Sequence, residues 1–220
     1  MPEISIYPEE FHLWGINIGL SVVIAWAVIA VLVVVLLFIR YKISRFTASP
    51  GRFQSVIELI VDGMYRFARG KVGHAADFAA PIALTLMVYV FCTTVVELFG
   101  IPPATEDINC TFALGLCSFF MVNTAGLKYK GFRGRIHSLA MPTPIVFPIR
   151  VMTEVIAPVS MGIRLFANVM LGGVIMKLIY AVIPVIIPAA LASYFNLLHV
   201  GIQTFVFGLL CLTYMSEAVE

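Results

Sequence analysis

Charge is what this sequence has little of. Only 12% of its 220 residues are Asp, Glu, Lys or Arg, against about 25% in a typical soluble domain. Apolar residues make up 61%, and the mean hydropathy is +1.01. A soluble core of this size cannot hide that much apolar surface, so the solvent must be lipid. A net charge of +2 leaves no basic footprint for nucleic acid. The four cysteines form no CxxC, and no histidine stands at metal-ligand spacing from them, so no metal site is expected there. They read as small buried hydrophobes. No GxxxxGK[ST] is present to hold a nucleotide, and no HExxH or GxS nucleophile motif to hydrolyse a bond. The acidic opening, MPEISIYPEEFHLWG, lacks the positive start of a signal peptide.

What is present is a series of long uncharged runs, each longer than the roughly 20 residues a helix needs to cross a bilayer or close to it. The first, residues 13–39, is too long for a signal-peptide core and reads as a retained span. It is preceded by Glu3, Glu9 and Glu10 and followed by Arg40, Lys42, Arg45 and Arg52. The positive-inside rule then places residues 1–12 outside and residues 40–52 in the cytoplasm. A second span is expected at 78–99 and a third at 111–127. The loop between them is acidic and the segment after the third, KYKGFRGRIH, is basic. Both agree with the orientation set by the first span.

Residues 52–72 differ. Phe53, Val56, Ile57, Ile60, Val61, Met64, Phe67 and Ala68 recur at helical spacing, with Arg52, Glu58, Asp62, Arg66 and Arg69 opposite. That predicts an amphipathic helix on the cytoplasmic membrane surface, too charged to span. Residues 145–183 form an apolar segment of about 60 Å as one helix, twice the hydrocarbon thickness of about 30 Å, so it is either broken or strongly tilted. Pro184 and Pro188 then break the chain before a last helix over 189–218. The expected fold is all-α: a single polytopic membrane domain over 1–220, with five transmembrane helices, one interfacial helix and two long tilted helices at the C-terminus.

Arg164 is the residue to explain. It sits in PVSMGIRLFANVMLGGVIM with no other charge nearby. An arginine at bilayer depth costs about 2.5–3.5 kcal/mol on insertion scales and cannot shed its proton to avoid it. It must face a polar cavity or an opposite charge. Asn168 and Ser160 lie one turn away on its own face. Glu154 lies roughly 15 Å back along the axis, with Arg150 competing for it. The missing anion therefore points to another subunit. On the last helix Asn196, His199, Gln203, Leu210, Tyr214 and Glu217 fall at helical spacing. A polar stripe inside a membrane helix faces a cavity, an ion path or a polar interface; for His199 a satisfied core histidine and a proton relay remain open. Gly162, Gly172, Gly173, Gly201 and Gly208 leave room for another helix to come close.

PVSMGIRLFANVMLGG resembles the signature of subunit a of the F-type ATP synthase, whose R-L-F-x-N core carries an arginine. GIQTFVFGLLCLTYMSEAVE is similar to that family's last helix, and PPATEDINCTFALGL to its P-P-T-x-D-x-N-x-T-x-A-L-A segment. The three matches occur in order and cover essentially the whole chain. The resemblance implies a non-catalytic stator subunit, one copy per complex. It would supply two offset half-channels for ions and set its arginine, here Arg164, against a carboxylate on each passing helix of the rotor ring. Asn168 would be the helical neighbour of Arg164, and Gln203 its partner on the last helix. The implied partners are a ring of small helical-hairpin subunits (the c ring), peripheral stalk subunits of b type, and the bilayer. No cofactor is implied. The implied location is a bacterial plasma membrane, or alternatively a thylakoid, with the N-terminus outside and the C-terminus in the cytoplasm. In this family a carboxylate or histidine often stands where this chain has Gly173, with an acid or histidine where it has Asn196. His199, Glu97 and Glu154 are the candidates to replace that relay. Two rival classes are a secondary transporter of an anionic substrate held by Arg164, which would show inverted repeats, and an intramembrane enzyme, which would need the missing motifs.

Overall fold

The computed structural model describes residues 10–13, 16–43, 51–96, 103–140, 147–182 and 186–219. Two short strands, β1 (Glu10–Leu13) and β2 (Ile16–Gly19), pair antiparallel with Leu13 opposite Ile16. All else regular is helical: α1 (Leu20–Ile43), α2 (Arg52–Val72), α3 (Ala76–Val95), α4 (Ile108–Ala140), α5 (Phe147–Val182) and α6 (Ile186–Val219). Five helical stretches among the described residues are long and apolar enough to cross a membrane. The protein is an all-α polytopic membrane protein with a small ladder at its start.

The first helix begins at Leu20 rather than at Leu13. Ile16 and Ile18 alternate with Asn17 and Gly19, a period of two that suits a strand, and an apolar count over 13–39 does not see it. The N-terminal half of α1 buries Ser21, Ala25 and Val28 along one stripe; from Ile29 onward its large side chains are mostly exposed, as lipid-facing residues must be.

The amphipathic segment forms α2 over 52–72. It ends at Gly73, whose φ of 60° and ψ of −120° turn the chain through a 3₁₀ turn into α3. Only a glycine adopts that backbone cheaply. Met64, Ala68 and Val72 bury the end of the α2 stripe, whereas Phe53, Val56 and Ile60 remain exposed. The Ser216 hydroxyl of α6 donates to the Lys71 carbonyl at 2.8 Å, satisfying one of the carbonyls that a helix end leaves free.

The third expected span is longer than 111–127. Asp107 starts α4 by accepting the Asn109 N–H at 2.9 Å, and helix continues through the basic segment to Ala140, with a break at Gly131 (φ 68°, ψ 169°). The segment 145–183 is not broken: α5 is one helix of 36 residues, about 54 Å long. Pro158 does not interrupt it, in keeping with the tolerance of membrane helices for internal proline. Pro188 falls in the first turn of α6, where a missing N–H costs nothing.

The core lies where α3, α4, α5 and α6 meet the end of α2. Alanines at 68, 76, 79, 80, 83 and 125 surround Leu165, Phe207, Cys211, Leu212 and Met215. Small residues let the helices approach closely where lipid offers no hydrophobic drive. The most extensive helix contacts are α4 with α5 and α3 with α6, and these carry the face on which Arg164 sits.

Candidate functional site

The α5 positions Ala157, Met161, Leu165 and Val169 are all buried. They recur every fourth residue and turn one face of α5 into the bundle. Arg164 stands beside this face and is exposed, as are Ser160 before it and Leu171 beyond it. Asn168, one turn on from Arg164, is half-buried at the boundary. Its Nδ2 donates to the Gln203 Oε1 of α6 at 2.9 Å. Gln203 is 5% exposed. The two C-terminal helices are thus joined by a side-chain amide pair one turn from an exposed arginine. Arg164 itself is exposed on the surface of the chain.

His199 lies one turn before Gln203 on α6 and is half-buried. Its Nε2 is buried without a hydrogen-bond partner among the described residues, and so is the Thr204 hydroxyl beside Gln203. Thr85, Thr93, Thr94, Thr124, Thr153 and Thr213 all donate to the carbonyl four residues back. Thr204 does not, and nothing in the sequence separates it from Thr213, so the sequence reading missed it. A buried polar atom left unpaired costs about 1–3 kcal/mol and is commonly met by water.

Around the position that lacks a relay group, an added Cβ on Gly172, Gly173 or Gly201 would meet nothing within 4 Å. Among the described residues, those glycines press against no neighbouring helix. Gly162 and Gly208 do. A Cβ on Gly162 would stand 3.1 Å from the Thr111 carbonyl oxygen of α4, and one on Gly208 would run into the Met87 side chain of α3.

Glu154 is half-buried on α5, ten residues before Arg164. Asn196 belongs to α6, but its side chain lies outside the described residues, as does that of Lys177 on α5; Glu97 lies outside them altogether. No group of three or more His, Cys, Asp or Glu side chains among the described residues could hold a metal ion. What the structure brings together is Asn168 and Gln203 on two facing helices, with Arg164 one turn from the first and with His199 and Thr204 near the second along α6. That set holds one permanent cation, an ordered amide pair and two polar atoms in want of water. A fixed cation beside polar groups open to water is an arrangement that can guide a charge.

A sequence model of the family described as the ATP synthase A chain matches residues 22–216. The chain is 30% identical over 212 residues to ATP synthase subunit a 2 of Acaryochloris marina, covering 96% of this chain and 90% of that one. It is 31% identical over 237 residues to ATP synthase subunit a of Mycobacterium marinum, covering 99% and 94%. It is also 28% identical over 248 residues to a Propionigenium modestum protein named ATP synthase subunit a, sodium ion specific, covering 99% and 85%.

Proposed function

The chain belongs to the ATP synthase A chain family, and from that premise we propose that it is the ion-translocating stator subunit of an F-type ATP synthase. It provides two offset half-channels and holds Arg164 against the carboxylates of a rotor ring built from small helical hairpins. It is present once per complex, tied to stalk subunits of b type, and takes no part in the chemistry of ATP. It sits in a bacterial plasma membrane with its N-terminus outside and its C-terminus in the cytoplasm.

The observation that carries this reading is the Asn168–Gln203 hydrogen bond, one turn from the exposed Arg164. A guanidinium cannot be deprotonated. A neutral, ion-loaded carboxylate arriving opposite it is therefore drawn to release its ion and become the counter-charge. The same fixed cation repels ions that would otherwise leak straight from one half-channel to the other. Asn168 and Gln203 lock the spacing of α5 and α6, which fixes the lateral position of Arg164. Each ion that completes the path moves one charge across the membrane field, worth about 2.3 kcal/mol per 100 mV. The outer half-channel runs past Glu97, Asn196 and His199, with water in the space that Gly173 leaves open; Glu154 serves the inner side. Glu97 beside the acidic outer loop raises the local cation concentration.

The test is ATP-driven ion uptake by sealed vesicles carrying the purified complex, with and without sodium. The chain is expected to co-purify with a ring of small hairpin subunits, and uptake is expected to follow ATP hydrolysis. Dependence on sodium would identify the ion, which the relative named as sodium ion specific leaves open. In the same vesicles His199→Leu is expected to lower the uptake rate several-fold, and Glu97→Gln to lower it most at low external ion concentration. A chain that purifies alone and exchanges anions would overturn the reading in favour of a secondary transporter. Unchanged uptake in the His199→Leu, Glu97→Gln double variant would remove those two residues from the path.

A further inference from the structure

The face of α2 that buries Met64, Ala68 and Val72 continues toward its start as Phe53, Val56 and Ile60, which are 41%, 56% and 54% exposed. An apolar stripe that leaves the protein core in mid-helix and runs on uncovered is made to lie against something apolar. The charges nearest Phe53 are mostly cations, with Glu58 the one carboxylate within two turns of it on α2. Lys42, in the last turn of α1, places its Nζ 4.2 Å from the centre of the Phe53 ring and 5.8 Å from that of Phe38. Arg52 is the next residue to Phe53, and Arg40 belongs to the same turn as Lys42; all three cations are exposed. No carboxylate among the described residues pairs with any of them. The nearest acids on α2 are engaged elsewhere: Glu58 accepts from the Gln54 amide at 2.8 Å, and Asp62 pairs with Arg66 at 2.7 Å.

We propose that the junction of α1 and α2 binds an anionic phospholipid, with its phosphate held by Lys42 and Arg52 and its acyl chains along Phe53, Val56 and Ile60. Three cations beside an uncovered apolar stripe match a molecule with an anionic head and an apolar tail. A zwitterionic lipid brings its own cation to the same place and gains less. Cation–π attraction to the Phe53 ring, worth about 0.5–1 kcal/mol at an exposed site, biases the Lys42 ammonium toward the apolar stripe. Cations near a surface of anionic lipid are a recognised source of lipid preference. Here one lysine is located by contact with the helix that the lipid covers, and this makes the preference local. The proposal does not rest on the ion-translocating reading, and its test needs no ATP.

The experiment is native mass spectrometry of the full chain after equilibration with equal amounts of phosphatidylglycerol and phosphatidylcholine. The native chain is expected to retain phosphatidylglycerol several-fold over phosphatidylcholine. Lys42→Gln with Arg52→Gln is expected to bring retention to parity. The charge-matched pair Arg66→Gln with Arg69→Gln, at the other end of the helix, is expected to leave it unchanged. Lys42→Arg with Arg52→Lys keeps the charges and is expected to keep the lipid, which separates a lost site from a misfolded chain. Equal retention of both lipids by the native chain would overturn the proposal. So would equal losses in the two glutamine pairs, or displacement by millimolar glycerol phosphate, which would indicate a free-phosphate site. Retention of an acidic protein partner in place of lipid would also overturn it.

Discussion

Arg164→Ala is expected to abolish coupled ion transport and ATP synthesis while the complex still assembles. The side chain is exposed on the chain's surface in an otherwise apolar stretch, so removing it leaves no cavity in the core. The neighbouring Asn168–Gln203 pair keeps its hydrogen bond without it. What disappears is the one charge that persuades an arriving carboxylate to give up its ion. Arg164→Lys should fail as well. A lysine keeps the charge in water but loses its proton far more readily when desolvated, and it lacks the planar fork that meets both oxygens of a carboxylate. ATP synthesis by energised vesicles, run beside a blot for assembled complex, reads both halves of the expectation. Near-native synthesis by the lysine variant would contradict the role given to the guanidinium.

Gly162→Leu is expected to act in the opposite way, removing assembly rather than transport. Gly162 is buried where α5 crosses the start of α4, and even a methyl group there would stand 3.1 Å from the Thr111 carbonyl oxygen and 3.5 Å from the Phe112 Cα. Both neighbours are backbone, so neither can swing aside. Gly162→Ala should cost about 1–3 kcal/mol, the usual range for overpacking, and the leucine should drive the helices apart and deplete the chain from the membrane. Gly201→Leu offers the contrast, since a Cβ there meets nothing within 4 Å in the chain. Gly201→Leu should leave the isolated chain in place. Steady-state amounts in membranes, with and without the other subunits, distinguish the two. Equal depletion by the Gly162 and Gly201 variants would contradict this division of the glycines.

The sequence made much of this arrangement readable, and the reasons are local. The amphipathic period over 52–72 is a signal contained in one helix, and α2 has those bounds. Arg164 could be singled out because a permanent charge in an apolar run is conspicuous whatever surrounds it. The resemblance sets Gln203 against Arg164, whereas the structure gives its amide oxygen to Asn168 one turn on; that 2.9 Å bond depends on how two helices cross, and no periodicity encodes it. The same limit explains the glycines. Gly162 and Gly173 look alike in the sequence, yet one is pressed against α4 and a Cβ on the other would meet nothing within 4 Å among the described residues. Thr204 escaped notice because its hydroxyl is unusual only in failing to bond its own helix. The start of α1 was misjudged because apolarity over 13–39 masked the strand-like alternation of 16–19.

On the proposed function, the exposed face around Arg164 meets the rotor ring. The most direct measurement is disulfide formation between a cysteine placed on α5 and one placed beside the ring carboxylate. Leu171 is 57% exposed and shares the face of Arg164, whereas Val169 is 4% exposed and turned into the bundle. Leu171→Cys is expected to cross-link to the ring in the assembled complex, and Val169→Cys is not. Cross-linking through position 169 with none through position 171 would contradict it.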